Sequence, residues 1–155
     1  IGSWHQYPAN SLSNFAPHNF DFTYKGFTVH CGSFEGLIQS FKFKNPEMQR
    51  YVCTLVGRMA KAKGKEKDWR QTQTLWWNGQ SIDRHSKEYQ ELLDAAYDAL
   101  FQNTSFQKAL LASGNAVLSH SIGKANENET VLTKSEFIHR LTSLRRKLIE
   151  KNLSY

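Results

Sequence analysis

A carboxyl group, an amide and an amine recur at helical spacing in the first third of the chain. Glu35, Gln39 and Lys42 lie four and three residues apart, which places them within about 60° of one another around a helix. A partly buried carboxyl group can donate or accept a proton during a reaction. A lysine removed from water can lose its proton and attack a carbonyl-like carbon to form a Schiff base. The amide between them can orient substrate hydroxyl groups. Spacing alone slightly favours a solvated helix flank over an active site.

The segment that carries these residues is predicted to be a helix over 33–44. Ser33 is expected to cap it, because its hydroxyl group can accept an N–H group of the first turn. The apolar residues recur at the spacing of one buried helix face: Phe34, Leu37, Ile38 and Phe41. Glu35, Gln39 and Lys42 would therefore lie at the boundary of the core, where clefts form.

Two elements are predicted on either side of this helix. Alternating apolar and polar residues around the turn Lys25-Gly26 predict a β-hairpin over about 19–31. Asn45 is expected to cap a second helix, with Pro46 at its first position. The predicted apolar face of that second helix consists of Met48, Tyr51, Val52, Leu55 and Met59.

The rest of the chain is predicted to be helices joined by loops. Residues 60–68 are predicted to be a lysine-rich connector, and a loop containing Asn78-Gly79 follows. The clearest amphipathic pattern covers residues 86–101. Capping boxes predict the starts of two further helices, at Thr104 with Gln107 and at Thr133 with Glu136, and Gly114 is expected to end the first of them. The sequence therefore predicts a mainly helical α+β fold with a small β-hairpin, in a single domain over residues 1–155.

Composition narrows the class of protein and of partner. The 155 residues fit one domain with a core of its own. The net charge of +6 favours an anionic partner such as nucleic acid, a nucleotide or a sugar phosphate, although ordinary solubility would also explain it. Cys31 and Cys53 are too few for a disulfide framework. No apolar run has the length of a membrane helix and no signal-peptide pattern is present, so the expected location is the cytoplasm.

Two further groups of residues could bind a nucleotide or a nucleic acid. A basic cluster could hold phosphates or could simply be solvated; it contains Arg58, Lys61, Lys63, Lys65 and Lys67. Three indoles could stack on a base, although such residues more often belong to a core; they are Trp69, Trp76 and Trp77. Gly57 and Gly64 are too far apart for a P-loop. The histidines are scattered without a zinc-binding motif, so a metal site is not expected.

A series of motifs in the first third of the chain has a specific pattern: Leu12-Ser13-Asn14-Phe15, then Pro17, Phe20 and Gly26, and then Ser33-Phe34-Glu35-x-x-x-Gln39-x-x-Lys42-Phe43. With this pattern the sequence resembles the NADAR (YbiA-like) family. Weaker matches are Ala62-Lys63-Gly64-Lys65 before Trp69, Phe101-Gln102-Asn103 before Leu110-Leu111-Ala112-Ser113-Gly114, and Leu141-x-x-Leu144-Arg145-x-x-Leu148. The similarity covers about residues 4–150, and its later parts are permissive helix patterns.

The resemblance implies an N-glycosidase that cleaves the bond between ribose C1 and a nitrogen. Glu35 would shuttle protons, and Lys42 would add to C1 and form an imine that water resolves, without a metal or a redox cofactor. The residues expected to bind the substrate are Ser13, Asn14, Phe15, Phe34, Gln39, Lys65, Trp69 and His120. The expected partner is ADP-ribose or a ribosylated nucleobase, with DNA or RNA as its carrier and neither a membrane nor a metal. ADP-ribose on guanine is slightly favoured over riboflavin-pathway ribosylamine phosphates because of the charge.

The departures from the family pattern lie on the side of the substrate. Gly36 stands where the family has histidine, and His120 stands where relatives often have an acid. An Asn- and Glu-rich stretch within 119–133 replaces a glycine-containing turn, and residues 76–90 look like a local elaboration. Two other functions therefore stay open: a module that binds ADP-ribose or a nucleotide without turnover, and a plain nucleic-acid binder that uses the basic cluster.

Overall fold

The computed structural model describes residues 1–153, which form six helices and two small antiparallel sheets. The elements follow in the order β1 (Phe20–Tyr24), β2 (Phe27–Cys31), α1 (Phe34–Ser40), α2 (Pro46–Cys53), α3 (Gly57–Lys65), β3 (Thr74–Trp77), β4 (Gln80–Asp83), α4 (Lys87–Leu100), α5 (Thr104–Ala112) and α6 (Lys134–Leu153). This is the mainly helical α+β architecture that the sequence predicts. Among the described residues, no helix has the length and apolar character needed to cross a membrane.

Each sheet is a β-hairpin of two strands joined by a two-residue turn, and the sequence predicts only the first hairpin. Strands β1 and β2 pair around Lys25 and Gly26, whose φ angles of 49° and 78° suit a tight hairpin turn. The loop predicted around Asn78-Gly79 is instead the turn of a second hairpin, with φ angles of 48° and 79°. Its strands have only four residues each, which is too short for an alternating pattern to be distinct.

Helix α1 lies at the centre of the fold and packs against both α2 and α3. All seven of its residues are buried, and the Ser33 hydroxyl group caps it by accepting the Gly36 N–H group at 3.1 Å. The helix ends at Ser40, before the predicted end at residue 44. Lys42 therefore lies in the following turn, where its N–H group donates to the Gln39 carbonyl group at 3.2 Å.

The predicted apolar face of the second helix is wrong for three of its five residues, although Val52 is fully buried. Met48, Tyr51 and Met59 are 37%, 51% and 67% exposed. Met59 does not belong to this helix at all, because α2 ends at Cys53 and α3 begins at Gly57. The predicted face therefore combines residues that belong to two separate helices.

Helix α3 also corrects the predicted connector, since residues 60–65 are helical. The helix has little apolar surface of its own, because Ala60 and Gly64 are its buried residues beyond Gly57, while its lysines point outward. The small size of Ala60 and the missing side chain of Gly64 allow α3 to lie close to α1.

The later helices agree well with the predicted patterns. Ser86 caps α4, and the Thr133–Glu136 capping box opens α6, with reciprocal hydrogen bonds of 2.8 and 3.1 Å. The start of α5 differs by one residue, because Asn103 rather than Thr104 accepts the N–H group of the first turn. Helix α4 packs on the first hairpin and α5 packs on α6.

Candidate active site

A cleft of about 840 Å³ opens between the N-terminal segment, α1, α3 and the segment before α6. It is lined by all but one of the residues predicted to act on or bind a substrate: Ser13, Asn14, Phe15, Glu35, Gln39, Lys42, Lys65, Trp69 and His120. Phe34 is the exception, because it is 2% exposed and its ring packs against Tyr97 at 4.1 Å within the core.

Hydrogen bonds bring the Ser13-Asn14-Phe15 segment to the start of α1. The Glu35 N–H group donates to the Asn14 carbonyl group at 3.0 Å. The Ser13 hydroxyl group accepts the Phe15 N–H group at 3.2 Å, which fixes the turn ahead of it. The first turn of α1 thereby holds a loop that forms one wall of the cleft.

Glu35 is a buried carboxyl group at the base of the cleft. It is 7% exposed and accepts a hydrogen bond of 2.8 Å from the Gln39 amide. Burial raises the pKa of Glu35 above its ordinary value, and the opposing effects of Gln39, Lys61 and Lys42 do not offset it. Glu35 therefore keeps its proton to a higher pH than an ordinary carboxyl group, as a general acid requires.

Lys42 is shifted in the opposite direction. Burial lowers its pKa to about 8, and although Glu35 opposes this shift, the nearby cations Arg70, Lys61 and Lys124 add to it. An amine with this pKa is partly unprotonated near neutral pH, and the unprotonated form is the nucleophile. The cleft thus joins a carboxyl group that tends to hold a proton and an amine that tends to lose one.

Five cations surround the cleft, and we call them the cationic rim: Lys61, Lys65, Lys67, Arg70 and Lys124. Asp68 and Glu129 are the acidic residues that line the same cleft besides Glu35, so positive charge predominates. The predicted basic cluster supplied three members of the rim, while Lys63 forms an ion pair with Glu66 instead. Arg70 and Lys124 carried no signal in the sequence, because they come from separate loops.

Two of the three tryptophans considered in the sequence are buried, as expected of core residues. Trp77 belongs to the core and Trp69 forms part of the cleft wall at 5% exposed. The Lys44 ammonium group lies 5.1 Å from the centre of the Trp76 ring. The exposed indole of the cleft is Trp4, which is 71% exposed. Its only signal in the sequence was an aromatic residue in an otherwise polar segment.

The far wall of the cleft, residues 130–133, is held from below by a buried arginine. Arg84 is fully buried, donates to the Thr130 carbonyl group at 2.9 Å and forms two hydrogen bonds with Glu136 at 2.7 and 3.1 Å. The Tyr89 hydroxyl group donates to the Val131 carbonyl group. The local elaboration predicted at residues 76–90 therefore supports the far wall.

His120 closes the same side of the cleft. Its Nδ1 atom lies 3.1 Å from the Ile1 carbonyl oxygen, and its ring meets the Phe137 ring edge-on at 5.1 Å. Burial lowers the pKa of His120, which favours the neutral imidazole. Within residues 1–153, no group of three or more His, Cys, Asp or Glu residues could hold a metal ion.

Comparison with known proteins places the chain in a phage family. Residues 6–146 match the family described as bacteriophage protein GP30.3. The chain belongs to the GP30.3 family. It is also similar to an uncharacterized 17.1 kDa protein from the Gp30–rIII intergenic region of Enterobacteria phage T4, with 38% identity over 148 residues, or 94% of this chain and 95% of the relative. No solved structure matches the chain.

The predicted membership of the NADAR (YbiA-like) family is therefore wrong, since the matched family is GP30.3. The structure gives a physical reason why Gly36 stands where the NADAR family has histidine. A Cβ atom on Gly36 would lie 2.5 Å from the Leu55 carbonyl oxygen and 2.6 Å from that of Cys53. The backbone that follows α2 packs so closely on α1 that no histidine could occupy this position of the GP30.3-family chain.

Proposed function

We propose that the cleft hydrolyses the bond between ribose C1 and a nitrogen in an anionic ribosyl compound, with ADP-ribose on guanine in nucleic acid as the favoured substrate. The observation that carries this proposal is Lys42, an amine with a pKa of about 8 in the same cleft as the buried carboxyl group of Glu35. The proposal rests on this pair and on the cationic rim.

In the first step, the unprotonated Lys42 amine bonds to C1 and the C1–N bond breaks. Its electron pair goes to the departing nitrogen, which takes a proton from Glu35. The nitrogen of Lys42 then forms a double bond to C1 as the ring C–O bond breaks, and the ring oxygen takes the proton that the amine loses. Water adds to this imine at C1 and releases Lys42, so the net reaction consumes one water molecule.

The cationic rim supports a phosphorylated substrate. A diphosphate carries negative charge that several lysine and arginine side chains can neutralise together. The exposed indole of Trp4 lines the same cleft and offers a stacking surface for a base. A phosphate group and a base together favour a nucleotide-bearing ribosyl group over a simple ribosylamine phosphate. The cytoplasmic location is also part of this proposal, supported by the free thiols of Cys31 and Cys53.

The test is to incubate the protein with ADP-ribosylated DNA and to measure released ADP-ribose. We expect release by the wild type and by Lys108→Ala, which removes an exposed lysine outside the cleft lining, and none by Lys42→Ala. Borohydride should reduce the imine and leave a sugar adduct that mass spectrometry locates on Lys42. Unchanged release by Lys42→Ala would refute the imine route.

The same assay distinguishes the alternatives. Calorimetric binding of ADP-ribose without any release would indicate a non-catalytic module. Release only from ribosylamine phosphates would overturn the favoured substrate but keep the reaction. Binding to unmodified DNA that weakens steeply with salt and is unchanged in Glu35→Gln would indicate a plain nucleic-acid binder.

A further inference from the structure

The Gln39 side chain is buried between α1 and α3 with half of its amide unpaired. Gln39 is 7% exposed, and its Nε2 atom donates to Glu35 Oε1 at 2.8 Å. Its Oε1 atom is buried and has no hydrogen-bond partner among the described residues. An unpaired buried acceptor destabilises a folded protein, so this arrangement does not serve stability alone.

Gly64 of α3 leaves the space that the amide occupies. A Cβ atom at position 64 would lie 1.8 Å from Gln39 Oε1 and 2.6 Å from its Cδ. Any side chain there would therefore displace the amide from Glu35. The close approach of α3 holds the carbonyl side of the amide and directs its N–H group toward the carboxyl group.

Gln49 provides an internal comparison. It is fully buried, but its amide donates to the Ser40 and Trp76 carbonyl groups and accepts the Asn78 N–H group. Both sides of that amide are satisfied, as expected of a glutamine that stabilises the fold.

We propose that Gln39 is a positioning residue, whose N–H group orients the Glu35 carboxyl group and stabilises its ionised form at the expense of an unpaired carbonyl oxygen. The effect of Gln39 on Glu35 does not depend on the proposed function, whereas an effect of Gln39 on catalysis rests on it. The other groups that act electrostatically on Glu35 are Lys42 after α1 and Lys61 of α3, and Glu35 in turn acts on Tyr97 of α4. A change at Gln39 leaves all three in place.

Gln39→Met removes both the N–H group and the unpaired oxygen while keeping a side chain of similar length. The pKa of Glu35 should rise, with its proton dissociation constant falling about tenfold, because a hydrogen bond to the charged form is lost. The free energy of unfolding should fall less than in Gln49→Met, because Gln39 makes one hydrogen bond and Gln49 makes three. Gly64→Ala should also raise the pKa of Glu35, because it pushes the amide away. The double variant should add no further change.

The pKa of Glu35 is measured by NMR titration of the protein with ¹³C-labelled glutamate carboxyl groups, and Glu35→Gln assigns the resonance. The stability of each variant is measured by urea unfolding. Gln49→Met is the matched control and should lower stability without moving the pKa of Glu35. An unchanged pKa in Gln39→Met, or in Gly64→Ala if Gln39→Met does not fold, would overturn the proposal. A raised pKa in a protein without hydrolase activity would support the positioning role and refute only the proposed function. If hydrolysis is observed, the limb of the pH–rate profile that belongs to Glu35 should move with the titration.

Discussion

The protonation of Lys42 gives the most direct test of the site, because it requires no substrate. With a pKa of about 8 in place of 10.5, about one molecule in ten carries the free amine at pH 7, compared with about one in three thousand for an ordinary lysine. The population of the nucleophilic form is thus about 300 times larger. Because only the free amine is acylated, the pH dependence of Lys42 acylation should have its midpoint near 8.

The assay is trace acetylation over about pH 6 to 11, with mass spectrometry of the peptide that contains Lys42. A free lysine amide in the same reaction serves as the reference for an ordinary amine. The midpoint does not depend on how easily the reagent reaches the cleft, so it isolates the pKa. Lys42→Met should remove the signal and so confirm its assignment.

A second variant tests the cause of the shift. Arg70→Gln removes a cation that disfavours the charged form of Lys42, and the midpoint should move upward. It should move only part of the way to the ordinary value, because burial is the largest cause. A wild-type midpoint equal to that of the reference amine would refute the reasoning, since Lys42 would then behave as a fully hydrated lysine.

Three further changes have expected outcomes. Arg84→Met should lower the free energy of unfolding by about 3–5 kcal/mol in urea titrations, because it leaves the largely buried Glu136 carboxylate without its cation. Glu136→Gln in the same chain should recover part of the loss, and a purely additive second loss would contradict the pairing. Glu35→Gln should gain stability relative to the wild type as the pH rises above about 4.5. The wild type loses stability there, because the carboxyl group of the unfolded chain ionises while the buried one, with its raised pKa, still holds a proton. A stability difference that stays equal at every pH would argue against burial of that group. Trp4→Ala should weaken ADP-ribose binding about tenfold in calorimetry, and Trp4→Phe should restore it, because base stacking needs an aromatic face.

The local part of the site could be predicted from the sequence. Ser33 caps α1 and Gln39 contacts Glu35 across one helical turn, so spacing within a few residues was enough to bring them together. Lys42 reaches the same cleft although α1 ends before it, because the following turn continues in the same direction.

The long-range part of the site could not be predicted in this way. Arg84 and Glu136 are 52 residues apart, and no local spacing relates them. The sequence pattern did not predict helix α3, because its buried residues Ala60 and Gly64 give almost no periodic apolar signal. The same two residues let α3 approach α1. The resemblance to the NADAR (YbiA-like) family did not give the family either, because a few catalytic residue types at short spacing can recur in proteins of different families.

The anchoring of the far wall has a consequence for protein engineering. Residues 125–129 are exposed, whereas Thr130 beyond them is tied to Arg84, and Lys124 before them accepts the N–H group of Lys134 at 2.9 Å. A loop whose two ends are fixed can change in length and composition at a small entropic penalty. Libraries of sequences inserted between Lys124 and Thr130 could therefore retarget the cleft while the scaffold beneath it stays folded.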